Sequence, residues 1–185
     1  MNSGYNTTSP LPFDQARTIC QDLLVSKDWK FGLFWALGIY TALRISDILS
    51  ITWEDLRSNS IKMVVKEKKT QKYRIIKVNK SLSTIVSRVL VDNVSSGFVF
   101  TNPKGIPYSR EWYNKKIKKT LKSYDIDSEM QSSHCLRKTF SSELYKQTKN
   151  LWLVSKVLNH TNPSVTMRYI GMTQSDINDA YDLVV

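Results

Sequence analysis

The sequence predicts a mainly α fold with one small antiparallel β-sheet or hairpin (α+β), and three observations carry that prediction. Apolar residues recur at i, i+3 and i+4 through most of the chain, the period of helices with one buried face. A single stretch, residues 61–78, breaks instead into two β-branched runs around a basic turn, the pattern of one hairpin. The 185 residues contain no internal repeat and suffice for one compact domain with a hydrophobic core, not comfortably for two.

Taken in order, residues 1–11 are rich in Ser, Thr and Asn and read as a flexible lead-in. Pro12-Phe13-Asp14 then opens an amphipathic helix to about Ser26, with Ala16, Ile19, Leu23 and Leu24 on its apolar side. Residues 29–43 are almost continuously apolar, too long for an ordinary strand, so they predict a helix buried on most sides that ends abruptly at Arg44. A short helix through Asp47 to Leu49 follows, and Thr52 with Asp55 three residues on marks a capped helical turn. Lys68 to Lys72 occupy the tip of the hairpin. Helical spacing returns over 81–94 with Leu82, Ile85, Val86, Val89 and Leu90, then Gly97 to Phe100 reads as a short strand and Asn102 to Gly105 as a turn. Arg110 to Tyr124 predicts a basic amphipathic helix, with Tyr113, Ile117, Leu121 and Tyr124 on one face and Lys115, Lys116, Lys118, Lys119 and Lys122 largely off it. Further helices are expected over 133–148, 151–158 and 163–170, and a tail helix over 173–185 carries Ile177, Tyr181 and Val185 four residues apart.

Composition narrows the partners. With 27 Lys and Arg against 16 Asp and Glu, the formal net charge of +11 points to a polyanion, nucleic acid first and an anionic membrane surface second. A hydrophobic content of 41% excludes a disordered polar tail. Cys20 and Cys135 are the only cysteines and lie far apart, so neither a disulfide framework nor a structural zinc site is indicated, and a reducing compartment is expected. The longest apolar run, Gly32 to Leu43, is too short to span a bilayer, and no targeting signal opens the chain; the expectation is a cytoplasmic protein with no membrane partner.

Three places carry chemistry. Arg44 ends the most apolar helix, where an unpaired charge is expensive, so an anion should meet it: either Asp47, three residues on, or a bound phosphate. His134 and Arg137 stand three apart, on one helical face. His160 closes one helix and Tyr169 lies nine residues beyond it in a short helix begun by Pro163; taken alone, such a Tyr is most often core or interface.

Together these fragments resemble a known family. TALRISDIL, HCLRKTF and LNHTNPSVTMRYI, in that order and with a basic hairpin between the first two, are similar to the three sequence boxes of the tyrosine recombinase (phage integrase) family. The resemblance covers residues 12–185 and implies a tyrosine recombinase catalytic domain over 12–172, with 173–185 a C-terminal helix that packs on its own domain or docks on a neighbouring protomer. It implies Arg44 and Arg137 as the catalytic arginines, Asp47 as the acid that buttresses the first, His134 and His160 as the catalytic histidines and Tyr169 as nucleophile. The hairpin lysine is best matched by Lys69, with Lys68 and Lys72 as rivals because the glycines that usually fix this turn are absent.

The implied activity is site-specific DNA cleavage and rejoining through a 3′-phosphotyrosyl intermediate, with no cofactor, no metal and no ATP. Double-stranded DNA is the implied partner. Lys68, Lys72, Arg74, Lys115, Lys116, Lys118, Lys119 and Lys122 are expected to contact it. The resemblance further implies a tetramer on DNA, a monomer when free, and accessory DNA-bending proteins.

The sequence departs from the family pattern at Asn159, where Gly usually precedes the second His, and at Lys138, where a His often follows the arginine. Family members commonly carry an N-terminal core-binding domain, so the chain is expected to be either a naturally short member or a piece of a longer one. The alternative function is a catalytically weak DNA-binding or regulatory remnant, or an isolated catalytic fragment. A type IB topoisomerase fits the third box less well.

Overall fold

The computed structural model describes residues 8–58, 62–66, 71, 73–91, 95–160, 162–170, 178 and 181. Its elements follow the apolar patterning. Helix α1 (Phe13–Val25) buries Ala16, Ile19 and Cys20 and stops where Ser26 turns back to hydrogen-bond Leu23 O through both its backbone N–H and its hydroxyl. Helix α2 (Trp29–Thr41) is the axis of the molecule: every residue from Phe31 to Ile39 is buried, which is why its sequence lacks a polar face. Its neighbours are α1 on one side and, on others, α5 (Lys80–Val91) and α7 (His134–Thr148).

Between these come α3 (Ile45–Ile48) and α4 (Trp53–Ser58). The Thr52–Asp55 pair forms the reciprocal cap the sequence predicted: Asp55 N–H donates to Thr52 Oγ1 at 3.1 Å, and Thr52 N–H donates to Asp55 Oδ2 at 2.8 Å. Strands β1 (Lys62–Lys66) and β2 (Tyr73–Lys77) pair antiparallel with Val64 opposite Ile75. Met63, Val65 and Ile76 point inward to the core. The hairpin tip, including Lys68, Lys69 and Lys72, lies outside the described residues. Helices α6 (Arg110–Ser123), α8 (Leu151–Leu158) and α9 (Pro163–Ile170) complete the domain. Of the expected tail helix, Asn178 and Tyr181 are described, and Ile177 and Val185 lie outside the described residues.

Two local expectations change. Gly97 to Phe100 is not a strand; Phe98 makes an isolated bridge to Thr52, flanked by Trp53 N–H to Gly97 O and Val99 N–H to Ile51 O. Further along, Phe100 O accepts from Tyr108 N–H at 3.2 Å, across the turn at Asn102 to Gly105. Within the lead-in, packing already begins at Thr8, whose hydroxyl bonds Met130 O at 3.0 Å, and buried Leu11 donates its N–H to Thr139 Oγ1 at 2.9 Å. Both thiols are free and buried, and burial pushes each up to about 12, so Cys20 and Cys135 pack as small hydrophobes. Among the described residues no helix is long and apolar enough to cross a membrane.

The α1–α2 crossing depends on Gly32, where an added Cβ would lie 2.8 Å from the backbone N of Leu24. Backbone cannot swing aside as a side chain can. Gly32→Ala gains about 1 kcal/mol of helix propensity but incurs an overpacking cost of about 1–3 kcal/mol. We expect a net loss of up to about 2 kcal/mol, read as a lower urea midpoint at unchanged m.

Candidate active site

Outside the hairpin, the sequence-predicted catalytic residues come from the ends of α2, α7, α8 and α9. At the first, α2 terminates because Ala42 adopts the left-handed conformation (φ 52°), throwing the chain outward so that Arg44 becomes the residue preceding α3. Asp47 is fully buried one turn later, and its N–H donates to Arg44 O at 2.9 Å. At the second, α7 begins with His134 and brings Arg137 into the interior, where it is 2% exposed.

The guanidinium of Arg137 ties these ends together. It donates through Nη1 to the carbonyl of Ala42, the cap residue of α2, and through Nη2 to that of Leu158, the last residue of α8, at 2.6 Å. Helix α8 in turn ends on Asn159 at φ 53°. Among non-glycine residues Asn tolerates this left-handed cap best, so the departure from the usual Gly is conformationally conservative. His160 follows; its Nδ1 lies 3.0 Å from Thr166 Oγ1, and its ring meets the Tyr169 ring edge-on at 4.9 Å between centroids. The Arg137 guanidinium carbon and the Lys138 ammonium lie 6.0 Å and 5.7 Å from the same Tyr169 ring centroid. Tyr169 therefore stands half-buried among an imidazole and two cations.

His134 opens to solvent at the surface, yet its pKa is held below the ordinary 6.5. Desolvation by the protein around it is the largest cause, followed by the positive charges of Arg137, Arg110, Lys138 and Arg44. Those four names place both predicted arginines within electrostatic reach of His134, and they add two cations not assigned to the site from sequence. Arg110 and Thr166 had faint signals: the first begins the basic helix after the Ser109 cap, and the second stands one turn before Tyr169.

The expected DNA-contacting residues divide. Lys116 is engaged within the fold: it pairs with Asp28 at 2.7 Å and lies over the rings of Phe31 and Trp112 at 5.0 Å and 4.8 Å, which removes it from a free lysine face. Lys115 and Lys119 line the same cleft, which also holds Asp22 and Asp28. Arg110, Asn114, Lys118 and Lys122 run along another stripe of α6, at i, i+4 steps, next to the start of α7. There Asn114 Oδ1 accepts from Ser133 N–H at 2.9 Å, and Lys118 donates to Glu129 O. Arg74 is half-buried and donates to Thr41 O at 3.3 Å, beside the end of α2 instead of out at the hairpin tip. Among the described residues no three His, Cys, Asp or Glu side chains cluster as metal ligands.

This fold is that of a tyrosine recombinase catalytic domain. The sequence profile of the phage integrase family matches residues 11–175, and the chain belongs to that family, whose enzymes cleave and rejoin DNA. It is 31% identical over 159 residues to the probable integrase/recombinase YoeC of Bacillus subtilis, covering 85% of this chain and 86% of that protein. It is also 28% identical over 134 residues to the tyrosine recombinase XerH of Campylobacter jejuni, covering 71% of this chain but 38% of that one. The chain thus spans most of YoeC and less than half of XerH. Among solved structures, XerH bound to a palindromic difH substrate superposes with a TM-score of 0.77 at 18% identity, over 97% of this chain and 53% of that one. The XerA recombinase does so at 0.76 and 16% identity, over 99% and 65%.

Two outcomes follow from this geometry. The His134 imidazole should titrate below 6.5 by NMR, and Arg110→Gln should move the midpoint upward, because removing a nearby positive charge favours the imidazolium. Arg137→Met should destabilise the domain by about 2 kcal/mol or more, since it strands the buried carbonyls of Ala42 and Leu158; equilibrium urea unfolding reads this directly.

Proposed function

We propose that this tyrosine recombinase cuts and rejoins DNA at specific sites, with Tyr169 as nucleophile. The observation that carries the reading is the convergence of His160, Arg137 and Lys138 on the Tyr169 ring at the meeting point of the α2, α7 and α8 ends. In the reaction the phenol oxygen attacks a backbone phosphorus, forming a 3′-phosphotyrosyl bond while the 5′-oxygen departs. Attack by a 5′-hydroxyl on that bond reverses the step and rejoins the strand, so the phosphodiester energy is conserved.

Each residue has a role that its chemistry suits. Arg44 holds the non-bridging phosphate oxygens, on which charge builds, through its planar donor fork, and Arg137 adds the N–H donors that its bonds to Ala42 and Leu158 leave over. His134 accepts the phenol proton; its lowered pKa keeps the imidazole neutral near pH 7, the form able to do so. His160, oriented by Thr166 and lying edge-on to the Tyr169 ring, hydrogen-bonds the phosphate. Asp47 supports Arg44 from the buried turn of α3. Lys69, in the hairpin between β1 and β2, protonates the departing 5′-oxygen.

Duplex DNA lies along the α6 stripe of Arg110, Lys118 and Lys122, flanked by Lys115 and Lys119, with Lys68, Lys72 and Arg74 on the hairpin side. Strand exchange requires two duplexes and hence four protomers, with the 173–185 segment docking between neighbours and DNA-bending proteins assisting assembly. The working compartment is the cytoplasm.

Covalent trapping tests the reading. Mixed in EDTA with nicked duplexes drawn from its own genomic neighbourhood, the wild-type chain should give a protein–DNA adduct on a denaturing gel. Tyr169→Phe should abolish it with DNA binding retained. Salt-sensitive DNA binding without any adduct would instead support the non-cleaving remnant, and an adduct surviving in Tyr169→Phe would mean another nucleophile.

A further inference from the structure

Lys138 is a buried charged side chain that the mechanism above leaves without a task. It is 8% exposed, and among the described residues no carboxylate or carbonyl accepts a hydrogen bond from its ammonium. What faces the ammonium is the Tyr169 ring, 5.7 Å away. A charge placed there without a counter-ion is costly, and burial accordingly draws its pKa below the ordinary 10.5. Arg137, the adjacent cation, is fixed by the carbonyls of Ala42 and Leu158 and cannot follow a moving charge. Lys138 has a four-carbon stem with rotatable donors and can.

We propose that Lys138 is a positioning residue for Tyr169: its ammonium orients the ring and stabilises the negative charge that gathers on the phenol oxygen during attack. The inference rests on the reading of Tyr169 as nucleophile. The neutral ring attracts the cation only through its quadrupole, whereas the ionising phenol carries net negative charge, so the attraction strengthens as the reaction proceeds. Lys138 surrenders no proton in this step; the phenol proton passes to His134. Among the described residues, the other charged or titratable groups against the ring are Arg137 from α7 and His160 from the turn after α8.

The test compares Lys138→Met and Lys138→Gln, which remove the charge, with Lys138→Arg, which keeps it, all in the full chain. The first readout is independent of DNA cleavage: tetranitromethane attacks the phenolate form of tyrosine, and nitration of Tyr169 is followed peptide by peptide against Tyr181, which is 77% exposed. Tyr169 nitration should slow in the Met and Gln variants and recover in the Arg variant. The second readout is the rate of adduct formation on a nicked duplex, expected to fall about tenfold or more in the neutral variants and within about threefold of wild type in the Arg variant, with DNA affinity unchanged.

Wild-type nitration and cleavage rates in Lys138→Met would overturn the proposal. So would equal losses in Lys138→Arg and Lys138→Met, which would make shape rather than charge the requirement, or a cleavage loss explained by weaker DNA binding. Should wild type form no adduct at all, the functional reading fails by itself, and the nitration comparison still decides whether the ammonium favours the phenolate.

Discussion

The guanidinium of Arg137 is the interaction on which the rest of the site depends. Taking it out of water costs several kcal/mol unless its donors are met. Here Nη1 and Nη2 meet the carbonyls of Ala42 and Leu158, each at the C-terminal end of a helix. Those carbonyls belong to the orphan set that no helix can satisfy internally, and they carry the negative end of the helix dipole. Two unsatisfied helix ends and one buried cation thus compensate one another. The by-product is geometric: the ends of α2 and α8 are locked to the first turn of α7, so Arg44, His134 and His160, each within two residues of one of those three points, have little freedom to separate.

That lock needs helices that stop sharply, and it explains two unusual residues. Asn159 and Ala42 both take φ near +50°, where glycine would be easiest. For Ala42 the left-handed conformation costs about 1–2 kcal/mol, yet the residue is fully buried with Val154, Leu158 and Ile170. Burying its methyl recovers about 0.8 kcal/mol, roughly half of that cost, and glycine would leave a gap in the small cluster against which Tyr169 packs. The same cluster therefore seats Tyr169 and shapes the turn that presents Arg44.

Much of the scaffold was legible because its causes are local. The fully apolar run of α2, the alternation at Met63, Val64 and Val65, the Thr52–Asp55 cap and the Tyr113–Ile117–Leu121 face all declare themselves within a few residues. The site was legible as a set of residues but not as an arrangement. Nothing near Arg137 in sequence announces carbonyls 95 and 21 residues away. The Asp28 that captures Lys116 is 88 residues distant, so five lysines with similar spacing looked equivalent until the fold separated them. Arg74 sits in a basic hairpin, and its reach back to Thr41 O depends on how that hairpin packs on α2. The lysines at 68, 69 and 72 belong to a segment about which the fold adds nothing to the sequence.

The arrangement also carries an electrostatic tension that points to its ligand. Arg44, Arg110, Arg137 and Lys138 all act on His134 in the same direction, so positive charge gathers around one imidazole. In the protein alone such crowding is unfavourable, and it persists because packing and the two helix-end carbonyls fix the positions. A polyanion threaded through the cluster reverses the sign of each of those terms. Because only the folded chain assembles the cluster, binding of that kind stabilises the fold by mass action. On the proposed reading, the cost of pre-organising the site is borne in the free protein and recovered when a phosphate binds.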